Sequence, residues 1–194
     1  MVSENPMQPP WLNAPPVEPY PYEDTHDLRV GPDLNHALLG LLPFVGEWRG
    51  RGKGGYSTIE DFDYAQEIRI SHDGRPFLHY ESRAWLIEED GTPIRPAFRE
   101  VGWWRPAAGG DEVEMLLTNP TGIMELYFGQ AEANPPRLDV QTDAVVRTPT
   151  AKEVRAGHRL FGIVNGELLY AYEMAAVGQP MQDHLSARLV RVGG

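Results

Sequence analysis

Turn dipeptides recur so often along this chain that little room is left for anything but short strands. After Val45 the sequence is punctuated by Asp73-Gly74, Asp90-Gly91, Gly109-Gly110, Asn119-Pro120-Thr121-Gly122, Asn134-Pro135-Pro136 and Asn165-Gly166. Asn-Gly and Asp-Gly suit two-residue hairpin loops, whose central residues take positive φ. Between the turns, Phe62, Tyr64, Ile68 and Ile70 interleave with Asp63, Glu67 and Arg69, the period of a half-buried strand. Further predicted strands cover Pro76–Ile87, Phe98–Arg105, Val113–Thr118, Ile123–Gln130, Leu138–Thr142 with a separate short piece around Val145, Glu153–Val164, Leu168–Val177 and Met181–Val192. The gaps between them are too short for the crossover that a parallel pair needs. The expectation is an all-β fold of about ten antiparallel strands in chain order, closed as an up-and-down barrel that leaves no edge unpaired. A barrel of that size can enclose one small ligand.

Two segments precede the strands. Residues 1–31 carry Pro6, Pro9, Pro10, Pro15, Pro16, Pro19 and Pro21 among acidic residues, which reads as a flexible or extended arm ahead of a barrel domain spanning 32–194. Trp11, Tyr20 and Tyr22 either pack on that domain or dock on a partner. Leu34, Leu38, Leu41 and Leu42 then share one face at helical spacing, with Asp33 as the N-cap and Pro43 as the stop. They predict a short helix that needs a surface to pack on.

Composition removes several function classes. A net charge of −11, with Lys53 and Lys152 the only lysines, leaves no basic stripe for a nucleic-acid backbone. No apolar run approaches the length of a membrane helix, and Met1–Pro10 lacks the basic-then-apolar order of a secretory signal. Without cysteine there is no disulfide, thiolate ligand or thiol nucleophile, and the expected compartment is the cytoplasm. Neither a G-x-S-x-G elbow nor an H-E-x-x-H zinc motif occurs. Trp103-Trp104 is a candidate homodimer surface, with core packing as the alternative reading.

The first strand reads Gly46-Glu47-Trp48-Arg49-Gly50-Arg51-Gly52, a G-x-W-x-G-x-G pattern in which Gly46, Trp48, Gly50 and Gly52 share one face. We read it as structural: Trp48 plugs the barrel end against the helix, and the glycines let the strand bend or be approached closely. Six histidines, His26, His36, His72, His79, His158 and His184, are candidate metal ligands. Residue type and position do not choose among them. His72, ahead of a hairpin, is expected in solvent, and His79 and His158 lie in mid-strand.

The opening motif, Gly55-Tyr56-Ser57-Thr58-Ile59, Phe62-x-Tyr64-x-Gln66-Glu67, Pro149-Thr150-Ala151-Lys152-Glu153-Val154 and Gln179-Pro180-x-Gln182-Asp183-His184-Leu185 together resemble the nitrobindin family over residues 38–192. The resemblance implies a ten-stranded barrel of the fatty-acid-binding-protein type that holds one ferric haem b per subunit. It also implies isomerisation of peroxynitrite to nitrate and binding of nitric oxide. By the same resemblance His184 is the axial iron ligand, Thr58 lies beside the haem, and Lys152 is placed to contact a propionate. Ser57 stands where the family usually has proline. Neighbouring strand residues face opposite ways, so Asp183 is not expected to orient the His184 ring, and the distal wall is expected to be apolar. Two other readings share the fold: a nitric oxide carrier or sensor without turnover, and a barrel for a fatty acid or other apolar molecule.

Overall fold

The computed structural model describes residues 12, 15–107 and 112–194. Ten antiparallel strands follow a 3₁₀ helix, His36–Phe44. They are β1 (Gly46–Tyr56), β2 (Ile59–Ser71), β3 (Leu78–Ile87), β4 (Pro93–Pro106), β5 (Glu112–Asn119), β6 (Ile123–Ala133), β7 (Pro136–Arg147), β8 (Val154–Val164), β9 (Glu167–Ala176) and β10 (Gln182–Gly193). Each pairs with its neighbours in sequence, and β10 pairs back onto β1 to close the barrel. The all-β, up-and-down reading is the observed architecture. The Gly109-Gly110 turn and Trp11 lie outside the described residues. No described helix is long and apolar enough to cross a membrane.

The helix departs from the expectation in three ways. Its cap is Asn35 rather than Asp33, with the Asn35 side chain accepting the Ala37 N–H at 3.1 Å. Pro43 lies inside it rather than ending it. Leu38, Leu41 and Phe44 are buried, while Leu42 is exposed. The buried residues, three apart, align on one face of a 3₁₀ helix, which has three residues per turn.

Two strand boundaries also moved. The residues read as Leu138–Thr142 and a separate piece are one strand, β7. Opposite β6 its partners pass from Tyr127↔Thr142 to Leu126↔Ala144, leaving Asp143 as an extra residue. A bulge of this kind breaks the alternation and makes one strand read as two. The first five residues of β4 are all exposed, so they carry no alternation to detect.

The meander sends alternate turns to opposite ends. At one end the helix lies against Trp48, whose indole N–H donates to the Phe44 carbonyl at 2.9 Å. Trp48 is fully buried, in the same core cluster as Phe44, Trp104 and Phe161. Arg191 lies 4.1 Å over the Trp48 ring and donates to the Pro43 carbonyl. The plug assigned to Trp48 is thus a packed, hydrogen-bonded contact. Gly52 is needed for close approach, because a Cβ there would stand 2.4 Å from the Ser186 carbonyl oxygen and the Tyr64 ring. The tryptophan pair divides: Trp104 is core, and Trp103 is exposed on the outer face.

The arm is tied to the closed end from Asp24 onward. Thr25 and His72 exchange both backbone hydrogen bonds, at 2.8 and 2.9 Å. The Asp24 carboxylate accepts from Ser71 and lies 3.3 Å from His79 Nδ1. His72 is consequently buried, not solvated as the sequence suggested. Tyr20 and Tyr22 stay exposed and contact each other edge to face.

Candidate functional site

At the end opposite the helix the barrel opens into a cavity of about 490 Å³, within the ~300–1,000 Å³ range of small-molecule sites. His184 from β10, Thr58 from the β1–β2 turn and Lys152 from the β7–β8 loop all line it. These positions, 126 residues apart at the extremes (184 − 58), meet because the meander returns every second turn to this end. Thr58 and Lys152 are exposed at its rim. Phe98, Ile123, Leu185 and Met174 give the walls their apolar area.

His184 reaches the cavity through a fault in the ladder. Opposite β9, Asp183 pairs with Glu173 and Leu185 with Tyr172, so His184 is the unpaired residue of a β-bulge. Leu185, Ala187 and Leu189 are the buried set of β10. Strict alternation from them would send His184 outward, and the bulge re-aims it. Its ring meets the buried Tyr56 and Tyr172 rings edge to face, at centroid distances of 5.7 and 5.8 Å. Nδ1 lies 2.9 Å from the Gly55 carbonyl oxygen. A carbonyl only accepts, so Nδ1 carries the proton and Nε2 is left with its lone pair. Burial pushes the His184 pKa below the usual imidazole value, with the Gly55 bond opposing. The neutral imidazole is the form that binds a metal. Asp183 is exposed and takes no part. The partner that orients the ring is the Gly55 carbonyl, which no sequence motif marks.

The inner end of the cavity is polar. Glu100 and Glu125 line it, and between them lies Arg159, whose side chain is 1% exposed. Arg159 Nη1 and Nη2 grip Glu100 at 2.9 and 2.6 Å. Nε donates to the Tyr127 hydroxyl at 2.8 Å, Nη1 to that of Tyr170 at 3.0 Å, and Nη2 reaches Glu125 at 3.4 Å. All five N–H donors are therefore spent. Glu125 also accepts from the Tyr127 and Tyr172 hydroxyls, at 3.0 and 3.3 Å. Burial raises the pKa of the Tyr172 phenol and that of Tyr127, so both remain hydrogen-bond donors. Sequence reasoning missed this network. Its one signal was phase: Glu100, Glu125 and Arg159 lie an even number of residues from the buried Trp104, Tyr127 and Phe161. On β6 that signal was masked, because the opposite face is also apolar, with Met124, Leu126 and Phe128 exposed.

A second, more open cleft of about 900 Å³ borders His184 from the β1–β2 and β3–β4 turns. Asp61, Asp63, Glu88, Glu89 and Asp183 line it, a poor setting for carboxylate-bearing ligands. Among the remaining histidines, His158 is held on the outer wall between Glu173 and Asp139, at 2.7 and 2.8 Å.

The family model described as "THAP4-like, heme-binding beta-barrel domain" matches residues 37–191. The chain belongs to this haem-binding barrel family. Among family relatives, a protein of Salinispora arenicola named peroxynitrite isomerase is 70% identical over the whole of both chains. A ferric nitrobindin-like protein of Saccharopolyspora erythraea is 47% identical, over 88% of this chain and 81% of its own. The crystal structure of Rv2717c from M. tuberculosis superimposes with a TM-score of 0.76 at 40% identity, over 82% of this chain and 99% of that one. The matched region runs through β1–β9 and all but the last two residues of β10, and so includes the residues that line the cavity.

Proposed function

We propose that this protein is a haem-dependent peroxynitrite isomerase that holds one haem b per subunit in the cavity at its open end. The observation that carries the reading is His184: a half-buried, neutral imidazole turned inward by a bulge, with Nδ1 committed to Gly55 and Nε2 without a hydrogen-bond partner among the described residues. The 70% identical relative named peroxynitrite isomerase supports the activity.

The residues present fit a haem. His184 Nε2 would be the donor to the iron, and the hydrogen bond from Nδ1 to Gly55 fixes tautomer and ring plane, as metal-bound histidines require. Phe98, Ile123 and Met174 offer apolar walls to a macrocycle. Lys152 and Thr58 at the rim offer an ammonium and a hydroxyl to propionates. When bound, ferric haem supplies a Lewis-acid position at which peroxynitrite exchanges its O–O bond for a third N–O bond, with no net change of electrons or protons. The chain holds the donor imidazole against the Tyr56 and Tyr172 rings and keeps its only buried guanidinium among the described residues away from ligands. That last point disfavours a fatty-acid carrier, since Arg159 has no N–H left for a carboxylate. Haem held in this cavity would also offer a binding site for nitric oxide. The candidate homodimer surface would be the exposed strip of Trp103, Leu126 and Phe128, and a monomeric sedimentation profile at micromolar concentration would exclude it.

The test is spectroscopic and kinetic. Purified protein titrated with haemin is expected to give a stoichiometric Soret band, which His184→Ala abolishes or shifts. Stopped-flow decay of peroxynitrite should then accelerate with the loaded protein and not with the apoprotein. An unchanged spectrum in His184→Ala would refute the ligand assignment, and a loaded protein without acceleration would leave a nitric oxide binder.

A further inference from the structure

The Glu100–Arg159–Glu125 cluster is buried, fully hydrogen-bonded and adjacent to the site, yet nothing in the ligand-holding role above uses it. Burying two carboxyl groups and a guanidinium costs several kcal/mol per ion before pairing repays it, so an apolar layer would serve simple packing as well. Its position suggests a use. Tyr172 stands between the cluster and His184: one face of its ring lies 4.1 Å from the Arg159 guanidinium carbon, its hydroxyl donates to Glu125, and its ring contacts the imidazole. The pair of carboxyl groups is matched by one cation, because Arg159 is the only basic residue in the cluster.

We propose that this cluster is an electrostatic positioning device for the haem ligand. Tyr172 transmits its rigidity to the His184 ring plane, and the carboxylate in excess of Arg159 holds a negative potential at the inner wall of the cavity. The inference rests on the haem reading above. A negative potential beside the iron site favours the ferric over the ferrous state, and the ferric state is the one the proposed isomerisation uses. Two unit charges about 10 Å apart, at an effective dielectric of about 20, bias an equilibrium by roughly tenfold or somewhat more. Among the described residues, the other charged groups lining this cavity are either on the rim, as Lys152 and Glu153 are, or paired outside it, as Arg99 is with Glu81. Rim groups are screened by water and salt, whereas the cluster is not.

The experiment is spectroelectrochemistry of the haem-loaded full chain. Glu125→Gln keeps an acceptor for the Tyr127 and Tyr172 hydroxyls while removing the excess charge. It is expected to raise the ferric/ferrous midpoint by the equivalent of about tenfold in the equilibrium, roughly 59 mV for one electron. Glu100→Gln, which removes a charge from the other side of Arg159, should shift it in the same direction and decides the matter if Glu125→Gln does not fold. Glu114→Gln on the outer face, where the carboxylate pairs with Arg105, is expected to leave the midpoint unchanged. Tyr172→Phe keeps the ring but drops its tether, and is expected to widen the g-value spread of the ferric electron paramagnetic resonance spectrum. A loaded parent whose midpoint ignores both carboxyl variants overturns this inference alone. A parent that takes up no haem overturns the haem reading and this inference with it.

Discussion

Replacing Arg159 by methionine tests how the barrel tolerates charge in its interior. The side chain is 1% exposed and donates five hydrogen bonds, two of them to Glu100. Methionine fills similar volume but donates nothing, so Glu100 loses both its guanidinium bonds and Glu125 its one contact with a cation. Breaking a buried pair by removing one partner costs about 3–5 kcal/mol. At about 2–4 °C per kcal/mol for a chain of this size, the melting temperature should fall by roughly 6–20 °C. Urea and thermal unfolding of the apoprotein, followed by circular dichroism, measure this without reference to any ligand. The same argument requires that Arg159→Met combined with Glu100→Gln and Glu125→Gln recover most of the loss, because no unpaired ion is then buried. The reasoning fails if the single variant lies within about 1 kcal/mol of the parent, or if the triple variant is no more stable than the single one.

Three further outcomes follow from other contacts. Partial burial pushes the His158 pKa down, but its bonds to Glu173 and Asp139 outweigh this and the net direction is upward. A raised folded-state pKa contributes stability that is complete below the unfolded value of about 6.5 and is lost as pH rises through the folded value; the urea-midpoint gap between parent and His158→Gln should therefore be widest near pH 6 and close towards pH 9. Trp48→Phe loses the indole bond to Phe44 and part of the Arg191 stacking, with an expected cost of about 1–3 kcal/mol by urea unfolding; an unchanged midpoint would argue against the plug. Gly52→Val drives a branched side chain into Tyr64 and the Ser186 carbonyl, and is expected to lower stability by at least about 1–3 kcal/mol or to leave the protein insoluble.

The architecture was legible because it depends on local information. A two-residue turn and a period of two are written in consecutive residues, and sequential hairpins with no crossover leave few ways to pair. The short helix itself was legible, but its type was not, because Leu34, Leu38, Leu41 and Leu42 satisfy an α period while Leu38, Leu41 and Phe44 satisfy a 3₁₀ one. Only packing against the barrel end chose between them. His72 was misplaced for a related reason: the chain that covers it comes from residue 25, and nothing near His72 announces that contact.

The candidate site divides along the same line. Residue identities fixed the barrel and, through family resemblance, drew attention to His184, Thr58 and Lys152. That the three share one cavity was decided by closure of the sheet, which brings distant turns to one rim. The inward aim of His184 was decided by a single unpaired residue, and alternation by itself would have placed that ring outside. The Arg159 cluster is the clearest case of what only the tertiary structure could decide. Its members lie on β4, β6, β8 and β9, and whether a charged residue on each strand is buried depends on which face turns inward. With apolar residues on both faces of β6, sequence phase left that choice open. The closed barrel settled it by bringing one guanidinium within hydrogen-bond reach of two carboxyl groups and two tyrosine hydroxyls.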